Sequence, residues 1–181
     1  MANTGTRRGF LRAGLVTLAS AAATPAFAAV PRVRGIRSLA FHNLHTDEKL
    51  RITYWRNGKY DRAACAKIDH VLRDHYSGDV YPMNLRLMDL LYDVQNETGH
   101  DGVIEVISGY RSPRTNMMLA RERDGIATHS YHTKGMAIDV RMQGMSLPRL
   151  HNVATAMRRG GVGYYPDSEF VHMDVGPVRR W

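Results

Sequence analysis

The sequence predicts an α+β domain, a small and mainly antiparallel sheet with helices on one side. Three observations predict it. Helix-period apolar patterns come early in the chain. Short alternating segments cluster late, a segregation typical of α+β folds. No internal repeat or low-complexity linker divides the chain, so a second domain is not expected.

The elements follow in order. Residues 29–36 read as an extended lead-in. Residues 37–44 and 50–55 alternate partly polar and apolar, with Thr46-Asp47-Glu48-Lys49 between them, which predicts a hairpin. Asn57-Gly58 turns the chain out of the second strand. Asp61 caps a helix running to about Tyr76, with Ala64, Ile68, Val71 and Leu72 on one face. Tyr81-Pro82 breaks the chain. A second helix covers about Asn84 to Thr98, with Leu87, Met88, Leu91 and Val94 inward and Gly99 at its C-terminal end. Val103 to Ile107 is a buried strand. Ser112-Pro113 opens a helix to about Arg123, Pro113 suiting its first turn. Met136 to Arg141 is a strand. Ser146-Leu147-Pro148 starts a helix to about Arg158, ended by Gly160-Gly161. Val162 to Tyr165 and Phe170 to Val175 form a final pair of strands.

The first 28 residues read as a targeting segment. Thr6-Arg7-Arg8-Gly9-Phe10-Leu11-Arg12 is a twin-arginine pattern. An apolar stretch follows from Ala13 to Ala23, and Ala26-Phe27-Ala28 fits a small-x-small cleavage site. The stretch is too short for a comfortable membrane span, so no stable span is expected after cleavage. The mature protein is expected outside the cytoplasm, as residues 29–181. Of 181 residues, removing 28 leaves 153, enough for one core. The leader's only charges are Arg7, Arg8 and Arg12, so its removal takes the net charge from +8 to +5. That excess suits an anionic partner, and is also common in ordinary soluble proteins. No Lys/Arg-rich run with interleaved aromatics suggests nucleic acid. Cys65 is the only cysteine. It has no internal partner, and its neighbours Ala63, Ala64 and Ile68 suggest an inert thiol on a buried helix face.

The chemistry concentrates in two segments. His129-Ser130-Tyr131-His132-Thr133-Lys134-Gly135-Met136-Ala137-Ile138-Asp139 sets His132 and Asp139 seven positions apart. Phe170-Val171-His172-Met173-Asp174 supplies a second imidazole. Side chains at period two share a face, so Phe170, His172 and Asp174 point one way and Val171 and Met173 the other. Pairing the two strands would bring His132, Asp139 and His172 to one metal. Two His and one Asp with a position open for water make a catalytic zinc set. His42, His45, His70, His75, His100 and His151 read instead as solvated or hydrogen-bonded. Gly135 and Ala137 allow close backbone packing. Ser130 lies near enough to line the same pocket. Arg111 follows a buried strand, where its guanidinium meets a substrate carboxylate or oxyanion, or else forms a surface salt bridge.

Ser130-x-His132-x2-Gly135-x-Ala137-x-Asp139 resembles the zinc signature of the D-Ala-D-Ala peptidases, including the VanX-type dipeptidases. These are grouped with lysostaphin-type endopeptidases and the hedgehog N-terminal domain. Ser108-Gly109-Tyr110-Arg111-Ser112, Asn116, Gly161 to Pro166, Phe170 to Gly176, Arg179 and Trp181 extend the likeness. The fuller set resembles the exported murein endopeptidase K branch, over about residues 36–181.

The resemblance implies a hedgehog-like fold and a periplasmic zinc peptidase. Its expected action is hydrolysis of peptidoglycan cross-links, at D-Ala–diaminopimelate bonds, diaminopimelate–diaminopimelate bonds or both. It implies that His132, Asp139 and His172 hold Zn2+, that Arg111 steadies the oxyanion and that Ser130 holds the substrate. The partners expected are peptidoglycan peptides, with the chain a monomer. For the general base two acids stand open. VanX-like enzymes carry one three residues before the last ligand, here Glu169. The endopeptidase branch carries one two residues after it, here Asp174. Side-chain direction favours Asp174, whose other reading is a carboxylate orienting a ligand imidazole. Two rival activities remain open: a D,D- or L,D-carboxypeptidase that trims stem peptides, and a zinc-retaining, non-catalytic cell-wall-binding module.

Overall fold

The computed structural model describes Met1 and residues 35–122 and 127–181. The leader beyond Met1, the lead-in to residue 34 and the end of the third predicted helix at Arg123 lie outside those residues.

The first half follows its local signals closely. β1 (Ile36–Asn43) and β2 (Lys49–Arg56) form the expected hairpin. Asn57-Gly58 returns the chain into a two-residue strand, β3 (Lys59–Tyr60), which alternation is too short to reveal. Asp61 caps α1 (Arg62–Val71), its side chain accepting the Ala64 N–H. Asn84 caps α2 (Leu85–Thr98) in the same way, and Gly99 closes it in the left-handed conformation. β4 (Ile104–Ser108) and α3 (Pro113–Glu122) follow. Next come a single 3-10 turn (Tyr131–Lys134) and β5 (Ala137–Met142). α4 (Leu147–Met157), β6 (Gly161–Tyr165), β7 (Phe170–Asp174) and β8 (Arg179–Arg180) complete the chain.

One helix is shorter than expected because a tertiary contact wins over local pattern, and another ends where expected but by a different residue. α1 stops at Val71 instead of Tyr76. The Leu72 carbonyl accepts the Tyr110 N–H at 2.7 Å. The Asp74 carboxylate takes the N–H groups of Tyr76 and Ser112, each at 2.9 Å. A local Asx turn thus replaces the next helical turn. α4 is ended by Arg158, at φ 51°, and not by Gly160-Gly161. Those glycines instead let the chain pass close to Asp174.

The sheet corrects the expected architecture. It is large, with eight strands in the order β3-β2-β1-β4-β5-β7-β6-β8. Most pairs are antiparallel, but β1–β4 and β6–β8 are parallel. A parallel pair needs a long crossover. The stretch through α1 and α2 supplies it for β1–β4, and the chain through β7 supplies it for β6–β8.

Register explains which side can carry a site. Leu39, Phe41, Ile104, Val106, Ile138, Val140, Val171 and Met173 are 0–1% exposed and share one face. Apolar residues of α1, α2 and α4 join them in one buried cluster. Cys65 lies partly buried beside it, and burial raises its thiol pKa, as expected of an inert thiol. The opposite face carries Ser108, Asp139 and His172 in adjacent strands. No helix among the described residues is long and apolar enough to cross a membrane.

Candidate metal centre and cleft

β5 and β7 pair so that Asp139 sits directly opposite His172. His132 reaches them from the 3-10 turn. Ser130 caps that turn, its Oγ accepting the His132 N–H at 3.3 Å, and Thr133 Oγ1 donates to the Ser130 carbonyl at 2.7 Å. Gly135 ends the turn at φ 62°, where L side chains are strained. A Cβ there would also strike the Pro82 carbonyl. The small residue in the motif therefore fixes how tightly the His132 turn docks. His132, Asp139 and His172 are all buried.

Hydrogen bonds dictate which ring nitrogens face inward. His132 Nδ1 lies 2.7 Å from the Gly109 carbonyl, which can only accept. Nδ1 therefore carries the proton and Nε2 presents its lone pair. His172 Nε2 lies 3.1 Å from Asp174 Oδ2, which leaves Nδ1 facing the cluster. The three inward atoms form a small triangle. His172 Nδ1 is 2.8 Å from Asp139 Oδ1 and 3.3 Å from His132 Nε2, and His132 Nε2 is 3.3 Å from Asp139 Oδ1. Ligands about 2.0–2.1 Å from a tetrahedral ion stand roughly 3.3 Å apart. All three residues line the cleft, and the donor set fits a metal ion. Among the described residues it is the only group of three or more such side chains placed to do so.

The electrostatics agree. Burial alone would raise the Asp139 carboxyl, but the His132 and His172 imidazoles outweigh it and hold the group well below the usual carboxylate range. Burial would lower His172, but its bonds to Asp139 and Asp174 carry it up to about 9. Asp174 is held low, against its burial, by His172, Arg179 and two backbone N–H groups.

The triangle forms the floor of a cavity of about 590 Å³. Arg111 lines it and is no surface salt bridge, with its side chain 12% exposed. Its guanidinium lies 3.9 Å from Asp139 Oδ2 and donates to Ser108 Oγ and Asn116 Oδ1 at 3.3 and 3.4 Å. Asn116 in turn donates to the carbonyls of Ala127 and Thr128, tying down the chain before Ser130. Ser130 also lines the cavity.

A model of the family described as peptidoglycan L,D-endopeptidase MepK matches residues 32–181. The chain belongs to that family. It is 41% identical over 176 residues to the peptidoglycan L,D-endopeptidase MepK of Escherichia coli K12, covering 97% of this chain and 96% of that protein. It is 42% identical over 146 residues to the probable peptidoglycan L,D-endopeptidase MepK of Haemophilus influenzae, covering 80% and 78%. No solved structure matches it.

The two acids expected as bases stand differently. Asp174 is fully buried and accepts from Gly161 N, Gly176 N and both Nη atoms of Arg179, besides facing His172 Nε2. It faces His172 Nε2, the ring nitrogen turned away from the three-atom cluster. Glu169 is 76% exposed and paired with Arg141 at 3.2 Å. Neither lines the cavity, whereas His129, Tyr131, Tyr165 and Trp181 do. Sequence reasoning passed over His129, although it stands three residues before His132 in the same segment.

Proposed function

We propose that this chain is a zinc-dependent peptidoglycan endopeptidase that cuts peptide cross-links between glycan strands in the periplasm. The observation that carries this reading is the triangle of His132 Nε2, Asp139 Oδ1 and His172 Nδ1 on the floor of an open cleft. The L,D in the names of its relatives favours the diaminopimelate–diaminopimelate cross-link, which joins an L to a D centre. The shared motifs and the α+β sheet also support kinship with the D-Ala-D-Ala peptidase and hedgehog fold.

Bound by His132, Asp139 and His172, zinc supplies Lewis acidity at the scissile carbonyl and a water ionised near neutral pH. The chain's own residues do the rest. Arg111, braced by Ser108 and Asn116, stabilises the negative oxygen that develops as the carbonyl is attacked. Ser130 keeps its hydroxyl proton free to donate to the substrate while its oxygen holds the His132 N–H. Asp174 orients His172, since its oxygens are already occupied by donors. Glu169 is the proton acceptor. It adjoins Phe170, a cavity residue, and its partner Arg141 stands two residues beyond Asp139 on β5. An exposed pair of this kind holds a carboxylate weakly, and catalytic contacts often tighten only with substrate. This reverses the preference for Asp174 drawn from strand direction.

The leader directs export by the twin-arginine route, with cleavage after Ala28, and the mature chain acts as a monomer. The leader's Arg7-Arg8 pair supports the export route, as does a substrate that lies outside the cytoplasm. Zinc-loaded protein incubated with purified cross-linked muropeptides, with products read by mass spectrometry, tests the activity. Dimers should become monomers. Shortened stems without loss of dimers would show a carboxypeptidase, and unchanged substrate a binding module.

A further inference from the structure

β8 and the residue after it bring Arg179 and Trp181 to the cavity wall, two residues of the family resemblance with no role assigned so far, and Arg179 reaches His172 through Asp174. Arg179 Nη2 lies 2.6 Å and Nη1 3.2 Å from the two oxygens of Asp174. Asp174 Oδ2 is in turn the atom that faces His172 Nε2. A continuous line of polar contacts thus runs from Arg179 through Asp174 to a metal-binding imidazole.

The line is built and not incidental. The Arg179 guanidinium lies over the rings of both Tyr131 and Trp181, 5.0 Å from each centroid. Trp181 is itself fixed. Its backbone N–H donates to the Val162 carbonyl, its carbonyl accepts the Tyr164 N–H, and its indole N–H donates to Tyr165 Oη at 2.7 Å. The β6 strand is opened to admit both side chains. A Cβ on Gly161 would stand 2.5 Å from Arg179 Nη1 and from Asp174 Oδ2, and one on Gly163 would stand 2.7 Å from the Trp181 ring. Glycine at both positions makes room for the guanidinium and the indole.

The chemistry needs such a brace. A fully buried carboxylate orients an imidazole well only if its own rotamer is locked. A planar guanidinium that grips both oxygens locks it, which a point charge does not. With Asp174 locked, it accepts the Nε2–H and leaves the His172 Nδ1 lone pair facing Asp139 and His132.

We infer that Arg179 is a positioning residue for the metal centre: its two-pronged contact with Asp174 holds His172 in the tautomer and orientation that bind the ion. This rests on the metal-centre reading above and extends it to a residue that touches none of the three ligands.

The test is zinc affinity of the full chain, measured by competition with a chromophoric chelator. The proteins are wild type, Arg179→Lys, Arg179→Met, Asp174→Asn and the Asp174→Asn/Arg179→Met double variant. Arg179→Met should weaken zinc by ~10-fold or more, the scale for outer groups that orient ligands. Arg179→Lys should recover only part of the loss, and it keeps the test alive if Arg179→Met fails to fold. In the Asp174→Asn background the Arg179 change should add little, because the path is already cut. Cobalt-substituted protein should show a shifted visible band in Arg179→Met, a signature that a purely structural role would not move. Zinc affinity unchanged in folded Arg179→Met would overturn the inference, as would full additivity in the double variant. A raised KM with wild-type zinc affinity would overturn it too, in favour of a substrate contact. If wild type itself binds no zinc, the metal-centre reading fails first and the inference falls with it.

Discussion

Asp174→Asn separates orientation from catalysis. The substitution nearly keeps the shape but replaces one acceptor oxygen with an NH2 group. Asp174 now receives five donors: Gly161 N, Gly176 N, two Arg179 nitrogens and the facing His172 Nε2. An amide oxygen cannot serve them all, and the new NH2 must face a donor. If it faces His172, the proton is driven to Nδ1, the atom proposed to bind the ion. Loss of such an orienting group costs ~10- to 100-fold in metal affinity. Stability should fall as well, because Arg179 loses its charge partner. Breaking a buried pair costs about 3–5 kcal/mol. With the Arg179 side chain 39% exposed, water offsets part of that, and about 2 kcal/mol is expected. The assay pairs zinc competition with turnover at saturating zinc, where the loss should be modest. Glu169→Gln is the counterpart, with normal zinc and turnover lower by ~10²-fold or more, the scale for acid–base catalysis. The reasoning is refuted if Asp174→Asn keeps wild-type zinc affinity but loses ~10²-fold in turnover, while Glu169→Gln stays active.

Three further outcomes follow from the same geometry. In the metal-free protein His172 is raised from 6.5 to about 9, so its protonation stabilises the fold fully below 6.5, and that contribution is lost as pH rises through about 9. In the proposed site zinc would have to displace this proton, so apparent affinity should rise by ~10-fold per pH unit between those values, and a flat titration would contradict it. Arg111→Lys removes the braced guanidinium but not a ligand, so kcat should fall by ~10²- to 10³-fold at unchanged zinc content, measured by turnover and metal analysis. Arg7→Lys with Arg8→Lys should hold the precursor in the cytoplasm, and a periplasmic product that keeps residues 6–12 would show that the segment is no cleaved leader.

Local signals made much of this molecule readable. Asp61, Asn84 and Gly99 mark helix ends because capping is decided within a few residues. Alternation through Phe170–Asp174 put His172 and Asp174 on one face, and the β5–β7 register then brought Asp139 opposite His172. What alternation does not report is which ring nitrogen a neighbour meets. Asp174 lies on the His172 face but contacts Nε2, the atom turned away from the cluster. Nor does it hold at Glu169, where φ 54° breaks the strand pattern. The early end of α1 depends on Tyr110, far along the chain, and the parallel β1–β4 pair on a crossover through two helices. β8 is too short to carry a pattern, so the grip of Arg179 on Asp174 emerges only in three dimensions.

The central claim is that His132, Asp139 and His172 hold a catalytic zinc ion. Metal analysis of purified wild type and of His132→Ala/His172→Ala tests it most directly. One zinc per wild-type chain and none in the folded double variant is the predicted result. Stoichiometric zinc in a well-folded double variant would contradict it.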